Sequence, residues 1–230
     1  MPGPSKIEAY AIISADGMLA EANRRIPPAL VVEADQKFFH GGLDQAAAVA
    51  HGRHSHEGGP RADARYRLIL TSKVDAPAPA RTRPKALLWN PKNASLADAW
   101  AMLGAPPGML AVIGGPKVYE LFLDIGYDEF HLSRVANVRI PGGRPVFPEI
   151  AIDRSPEAVL AAHGLTAGPE RVLDAAGIAA GGKRAGEFIE QRRGVGCHGQ
   201  SRRGWRVRLR HNGRTVMKKR FPAARPRGRY

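Results

Sequence analysis

Seven short apolar runs, separated by stretches of helical periodicity, constrain this chain more than any other feature. The runs are 7–13 (IEAYAII), 46–51 (AAAVAH), 67–72 (RLILTS), 85–89 (KALLW), 109–114 (MLAVIG), 128–135 (DEFHLSRV) and 171–175 (RVLDA), each flanked by Gly, Pro or Asp. Helices are predicted over 29–40, 95–103, 116–125 and 155–162, with Ser95 as one N-cap and Pro116 in a first turn. Strands joined by helical crossovers favour a largely parallel sheet covered on both faces, so the fold class is α/β. Residues 73–86 (KVDAPAPARTRPKA) form a proline-rich surface connection, since the alternation resumes directly after them.

The net charge of +14 suggests a polyanionic partner until its distribution is considered. Residues 1–176 hold 19 Lys and Arg against 19 Asp and Glu, whereas residues 177–230 hold 16 against 2. The body is neutral and needs no such partner. We therefore divide the chain into a body, 1–176, and a basic Arg/Gly-rich tail, 177–230, whose composition predicts disorder. No run approaches the roughly 20 apolar residues that cross a bilayer, and the first residues lack the apolar core of a secretion signal. The single Cys197 permits no internal disulfide and no cysteine zinc cluster, so a cytoplasmic protein is expected.

Three stretches carry chemistry. In IGGPKVY (113–119) a buried run stops on Gly114 and Gly115 and restarts as a helix. Glycines there let the backbone approach a ligand, and the helix offers its N–H groups and dipole to an anion, with Lys117 adding charge. The alternative is a tight turn. In HGRHSHEGG (51–59), Gly52, Arg53, His54 and Ser55 combine a close-approach glycine, a guanidinium suited to phosphate, an imidazole and a hydroxyl. A metal site from His51, His54, His56 and Glu57, or a solvated loop, competes with that reading. In LTSK (70–73), Thr71, Ser72 and Lys73 close a strand with groups able to hold a ribose phosphate, or simply end it.

The order of these blocks resembles the dihydrofolate reductase superfamily, closest to the branch that contains the reductase domain of bacterial riboflavin biosynthesis. The likeness spans roughly residues 6–150, with a weaker continuation to Ala176. AIISADGMLA, EADQKFF, HGRHS, LILTSK and VIGGPKVYELFL stand in the family's order, followed by DEFHLSRV and FPEI. It implies a mainly parallel central sheet with helices on both faces and an NADPH cofactor preferred over NADH. Gly114, Gly115, Val118 and Tyr119 would meet the nicotinamide side and pyrophosphate. Gly52, Arg53, His54 and Ser55 would hold the pyrophosphate and adenosine phosphate, and Thr71 and Ser72, with Lys73 nearby, the 2′-phosphate. No metal is expected.

The resemblance also implies substrate residues. Asp35, four before Phe39, would hydrogen-bond an amino-N-heterocycle and raise the basicity of the atom to be protonated; otherwise Asp35 and Glu33 both solvate a helix face. Phe39 and Arg65 would bind substrate, Arg65 through a carboxylate, unless it is a solvated loop arginine. Ser133 would brace the acidic group. Asp16-Gly17 matches the riboflavin-type branch, where Asp16 would lie near the nicotinamide and substrate as a catalytic residue, although Asp-Gly is also a natural turn. IPPAL (26–30) lacks the tryptophan of dihydrofolate reductases. The expected activity is hydride transfer to a pteridine- or aminopyrimidine-like substrate such as a phosphoribosylaminouracil, with dihydrofolate reduction as the alternative. A homodimer is implied as well.

The tail competes as a site. GWRVRLRHNGRTVMKKRF alternates cations with Trp205, Val207, Leu209 and Phe221, a pattern able to bind phosphates and stack bases. We favour a tail without selected function, which leaves the family's final strand missing and a sheet edge open.

Overall fold

The computed structural model describes residues 3–55, 59, 61–81, 83–150 and 154–169, together with the backbone of 171–173 and 204–211. In chain order the strands are β1 (Lys6–Ser14), β2 (Met18–Ala20), β3 (Ala48–Gly52), β4 (Tyr66–Leu70), β5 (Ala78–Pro79), β6 (Ala86–Trp89), β7 (Met109–Val112), β8 (Glu129–Val135), β9 (Arg144–Pro145), β10 (Leu165–Ala167), β11 (Arg171–Leu173) and β12 (Gly204–His211). The helices are α1 (Glu33–Gln45), α2 (Leu96–Leu103), α3 (Pro116–Ile125) and α4 (Pro156–Ala162). All seven expected strands form, although residues 174 and 175 of the last lie outside the described residues.

The main sheet runs β10-β12-β8-β1-β7-β3-β4-β6-β5, with β11 paired to β12. From β8 to β6 every neighbouring pair is parallel. The α/β class and the helices on both faces stand as expected. Along β1, Ala9, Ala11 and Ile13 join the large core beneath α2, α3 and α4. Tyr10 points the other way, to a smaller core with Leu43, Phe38 and Phe39 of α1.

Helix α1 begins four residues later than 29–40 predicts and ends five later. Residues 28–30 form a separate 3-10 turn, and the helix continues through Gly41 and Gly42, which look like a stop in the sequence. The reason is packing: a Cβ at Gly42 would collide with the Tyr10 ring, so glycine lets α1 lie close on β1. Ser95 caps α2 as expected, within a capping box completed by Asp98.

The tail requires a correction. The backbone of 204–211 forms β12, inserted between β8 and β10 and antiparallel to both. In place of the open sheet edge expected from the sequence, β8 is paired with a strand from the basic segment, and disorder does not extend across 204–211. The register explains the fit. Val207 and Leu209 stand opposite Leu132 and Phe130, while Arg206, Arg208 and Arg210 stand opposite Ser133, His131 and Glu129. The period-2 alternation that resembled a nucleic-acid motif is also the alternation of a strand. Residues 174–203 and 212–230, including Cys197 and Phe221, lie outside the described residues. Residues 73–86 also contain β5, a two-residue edge strand antiparallel to β6.

Among the described residues no helix is long and apolar enough to cross a membrane.

Candidate functional site

Because the central strands are parallel, Ser14, Gly52, Leu70, Val112 and Val135 end at one edge of the sheet. The helix after β1 packs on one face and the helix after β7 on the other, although β1 and β7 are neighbours. Such a reversal opens a crevice between the strand ends, where ligands of open α/β sheets bind.

Two of the sequence blocks meet there. The Gly52 N–H donates to the Gly114 carbonyl at 2.9 Å, and the Gly115 N–H donates to Ser55 Oγ at 2.9 Å. Ser55 is held in turn, since its own N–H donates to the Gly52 carbonyl at 3.0 Å. Gly115 is the N-cap of α3, with Pro116 in the first turn as expected, and the peptide joining Gly114 to Gly115 is cis. Gly114 has φ +85°, and a Cβ there would fall 2.5 Å from the Tyr119 ring. Both the conformation and the space demand glycine. Val118 is buried with its side chain against Gly52. Arg53, His54 and Lys117 are exposed around this junction.

The third block stands beside the first, since Gly52 and Leu70 are partners in the β3–β4 register. Thr71 is buried and its Oγ1 accepts from the Lys73 N–H at 3.2 Å, whereas Ser72 and Lys73 are exposed. Residues 52–55, 71–73 and 114–118 together contain cations, hydroxyls and glycines but no carboxylate. That donor set fits a polyphosphate.

On the α1 side, Asp35 is buried in the first turn while Glu33 is exposed and paired with Lys37 at 2.7 Å, so the two acids do not share a solvated face. Asp35 is linked electrostatically to Tyr119 beside the glycine turn. Burial first, and then the Asp35 charge, push the Tyr119 phenol well above its ordinary pKa. Tyr119 stays neutral and donates to the Tyr10 carbonyl at 2.5 Å. Ser133 is buried on β8, in register with Ile12. Phe39 is half-buried and packs edge-on against Tyr10, with centroids 6.1 Å apart.

The remaining candidates are engaged elsewhere. Arg65 pairs with Asp44 at 2.5 Å and donates to the Leu43 carbonyl at 3.4 Å, so it is neither solvated nor open to a substrate carboxylate without displacing Asp44. The Asp16 carboxylate accepts hydrogen bonds from Ser14 and Ile140. The His51 ring lies 2.8 Å from the Gly52 carbonyl and 3.2 Å from Arg67, while His56 and Glu57 lie outside the described residues.

Sequence reasoning missed a second polar cluster, at the opposite ends of β1 and β8. Lys6 bridges Glu8 and Glu129, with its Nζ 3.0 Å from Glu129 Oε2. Tyr10 Oη donates to Glu8 at 2.8 Å, and His131 Nε2 stands 3.0 Å from the same oxygen. Burial alone would raise the Glu8 pKa, but hydrogen bonds from His131, Lys6 and Tyr10 outweigh it and hold the carboxyl at about 2. Among the described residues, Glu8, Glu129 and His131 form the one group with metal-ligand spacing. The Lys6 ammonium already lies against both carboxylates, so we read the group as an internal ion network. Its signal was present as polar residues two apart in apolar strands, E-x-Y in β1 and E-x-H-x-S in β8.

No protein-family model and no curated protein matches the chain. Solved structures do. The deaminase/5-amino-6-(5-phosphoribosylamino)uracil reductase of Thermotoga maritima is 15% identical, with a TM-score of 0.53 over 91% of this chain and 57% of its own. The chain thus spans little more than half of that enzyme. A dihydrofolate reductase of Enterococcus faecalis, complexed with NADP(H) and RAB-propyl, is 14% identical with a TM-score of 0.54, covering 90% of this chain and 96% of its own. A candidate riboflavin biosynthesis protein of Shewanella sp. PV-4 is 14% identical with a TM-score of 0.50, covering 90% and 99%.

Proposed function

From the dihydrofolate reductase-like fold that these structures share with the chain, we propose that the protein is an NADPH-dependent reductase of a small pteridine- or aminopyrimidine-like substrate. The observation that carries this reading is the pair of hydrogen bonds fastening 52–55 to Gly114–Gly115 at the start of α3. They form a glycine-lined seat in the crevice beside β1, and residues 52–55 and 114–118 bring no carboxylate to it. The E. faecalis enzyme holds NADP(H), which supports a nucleotide in the same fold.

In this reading Gly52, Ser55, Gly114 and Gly115 bring backbone close to the pyrophosphate, with Val118 and Tyr119 behind it. Arg53 and His54 bind the adenosine phosphates, and Thr71 and Ser72, beside Lys73, hold the 2′-phosphate. The bound cofactor supplies the hydride, and the protein supplies position and electrostatics. Asp35 hydrogen-bonds the amino-N-heterocycle and favours protonation of the atom next to the hydride acceptor, with Ser133 and Phe39 at the same wall. Arg65 contributes to substrate binding only by exchanging Asp44 for a substrate anion. The protein acts as a cytoplasmic homodimer in this proposal.

The test is NADPH oxidation in the presence of reducible aminopyrimidine ribosides and dihydropteridines. Turnover that Asp35→Asn suppresses supports the assignment. Turnover unaffected by that change removes Asp35 from it. Dihydrofolate reduction is the second activity the same screen detects. Nucleic-acid binding through the tail is disfavoured by the register, because Trp205, Val207 and Leu209 stand at positions paired with β8. Salt-sensitive binding to DNA or RNA would reverse that preference.

A further inference from the structure

Next to the junction of 52–55 with Gly114–Gly115 lies a buried pair of side chains that the proposed function leaves unused. Strands β3 and β4 are parallel neighbours, with Val49 opposite Arg67 and His51 opposite Ile69, so Val49, His51 and Arg67 share the face of the sheet that α1 covers. His51 is 3% exposed and Arg67 1%. Arg67 Nη2 donates to the Ala62 carbonyl at 2.5 Å, and Nη1 lies 3.2 Å from His51 Nε2. The other ring nitrogen, Nδ1, lies 2.8 Å from the Gly52 carbonyl. That carbonyl also accepts the Ser55 N–H at 3.0 Å, the bond that closes turn 52–55.

These two contacts decide where the ring carries its proton. A guanidinium only donates and a carbonyl only accepts, so Nε2 is bare and Nδ1 holds the hydrogen. The imidazole that the sequence offers to a metal therefore has both nitrogens engaged. The Gly52 carbonyl, in turn, is held by two donors, the His51 ring and the Ser55 amide, which sets the peptide plane leading into Arg53. Ser55 Oγ accepts the Gly115 N–H at 2.9 Å, so a continuous chain of hydrogen bonds runs from Arg67 through His51, Gly52 and Ser55 to the N-cap of α3. Its inner members are buried, whereas Arg53 and His54, on the turn it fixes, are exposed.

We infer that His51 is a positioning residue: Arg67 fixes its tautomer, and its Nδ1–H holds the Gly52 carbonyl so that turn 52–55 presents Ser55 to Gly115 in one geometry. Donors stay in place when the groups supporting them are themselves held. A turn fixed in advance reduces the ordering that a ligand must impose, which raises affinity. That consequence for binding rests on the NADPH reading above; the fastening of the turn does not.

The test divides the two ring nitrogens between two variants of the full chain. In His51→Asn the carboxamide nitrogen stands near the place of Nδ1 and still donates to Gly52; in His51→Gln the carboxamide oxygen stands near the place of Nε2 and accepts from Arg67, but the donor to Gly52 is gone. His51→Gln is expected to accelerate amide exchange at Ser55 and Gly115, with the β1 amides unchanged, and to weaken NADPH about fivefold. His51→Asn should keep that protection and hold NADPH within about twofold. A side chain that only fills space predicts the reverse order, because glutamine is nearer to histidine in volume than asparagine is, and that order would overturn the positioning role. The second readout needs no substitution: nitrogen NMR of the unaltered protein should show His51 protonated at Nδ1 and bare at Nε2, and the opposite tautomer would also overturn the inference. If the unaltered protein binds no NADPH, the NADPH reading fails, while the exchange rates and the ring spectrum still decide whether His51 fastens the turn.

Discussion

The two ends of the parallel strands carry opposite kinds of polar structure, the N-terminal one at β1 and β8 and the C-terminal one at β3, β4 and β7. At the N-terminal end Lys6, Glu8, Glu129, His131 and Tyr10 answer one another's charge, and the carboxylates and imidazole are buried. At the C-terminal end the groups are glycine backbone and hydroxyls held in place by hydrogen bonds, with Arg53, His54, Ser72, Lys73 and Lys117 exposed around them. The first end holds the titratable cluster with metal-ligand spacing, yet its charges are spent internally. At the second, residues 52–55, 71–73 and 114–118 bring no carboxylate to oppose these cations, and the Asp16 carboxylate after β1 is occupied by Ser14 and Ile140, so it is the end that suits an anionic ligand. A dense titratable cluster is therefore a poorer guide to function here than an uncompensated one, although perturbed groups often mark active sites.

Substitutions that separate the two ends test this contrast. The largest effect is expected from Gly114→Ala. A side chain at φ +85° costs about 1–2 kcal/mol and overlap with Tyr119 a further 1–3. We expect a stability loss of about 3–4 kcal/mol in urea melts, with nucleotide binding abolished. Glu8→Ala breaks the other end. It should cost about 3 kcal/mol, at the lower limit for breaking a buried ion pair because Lys6 is partly solvated, and leave NADPH affinity within about twofold.

Acid makes the same point without a mutation. The Glu8 carboxyl has a folded pKa of about 2, against an ordinary 4.5. Its stabilisation is complete above the ordinary value and lost as pH falls from there towards the folded value. Glu8→Gln should flatten that part of the stability curve. An unchanged acid limb would mean that another carboxylate dominates it.

Smaller effects are expected at the C-terminal edge. Arg53→Ala should weaken NADPH about 10- to 30-fold, or roughly 1.5–2 kcal/mol, with melting unchanged. Ser55→Ala removes the acceptor of the Gly115 N–H and should weaken NADPH about fivefold, roughly 1 kcal/mol. If either change lowered stability and spared binding, the seat would be a structural turn.

The sequence made the alternating architecture legible because each strand is a compact apolar run with a clear stop. It also showed the blocks at 52–55, 71–73 and 113–119, since glycine next to a cation at a strand end is a local signal. What escaped depended on distance. Gly41-Gly42 reads as a helix stop until Tyr10 is seen beneath it. The Lys6 network needs β8 beside β1, although 121 residues separate Glu8 from Glu129. Arg65 resembles a ligand-binding arginine until Asp44, from the end of α1, is found against it. Charge density alone suggested a tail apart from the fold; the backbone of 204–211 is a strand within it.

For the central claim, the most direct measurement is a fluorescence titration of the full chain with NADPH and with NADH, since β12 comes from the tail and a shortened chain would lack it. Micromolar NADPH binding, at least about tenfold tighter than NADH and lost in Gly114→Ala, is the predicted result. A folded protein that binds neither nucleotide would contradict the account and leave the glycine junction as a turn of the fold.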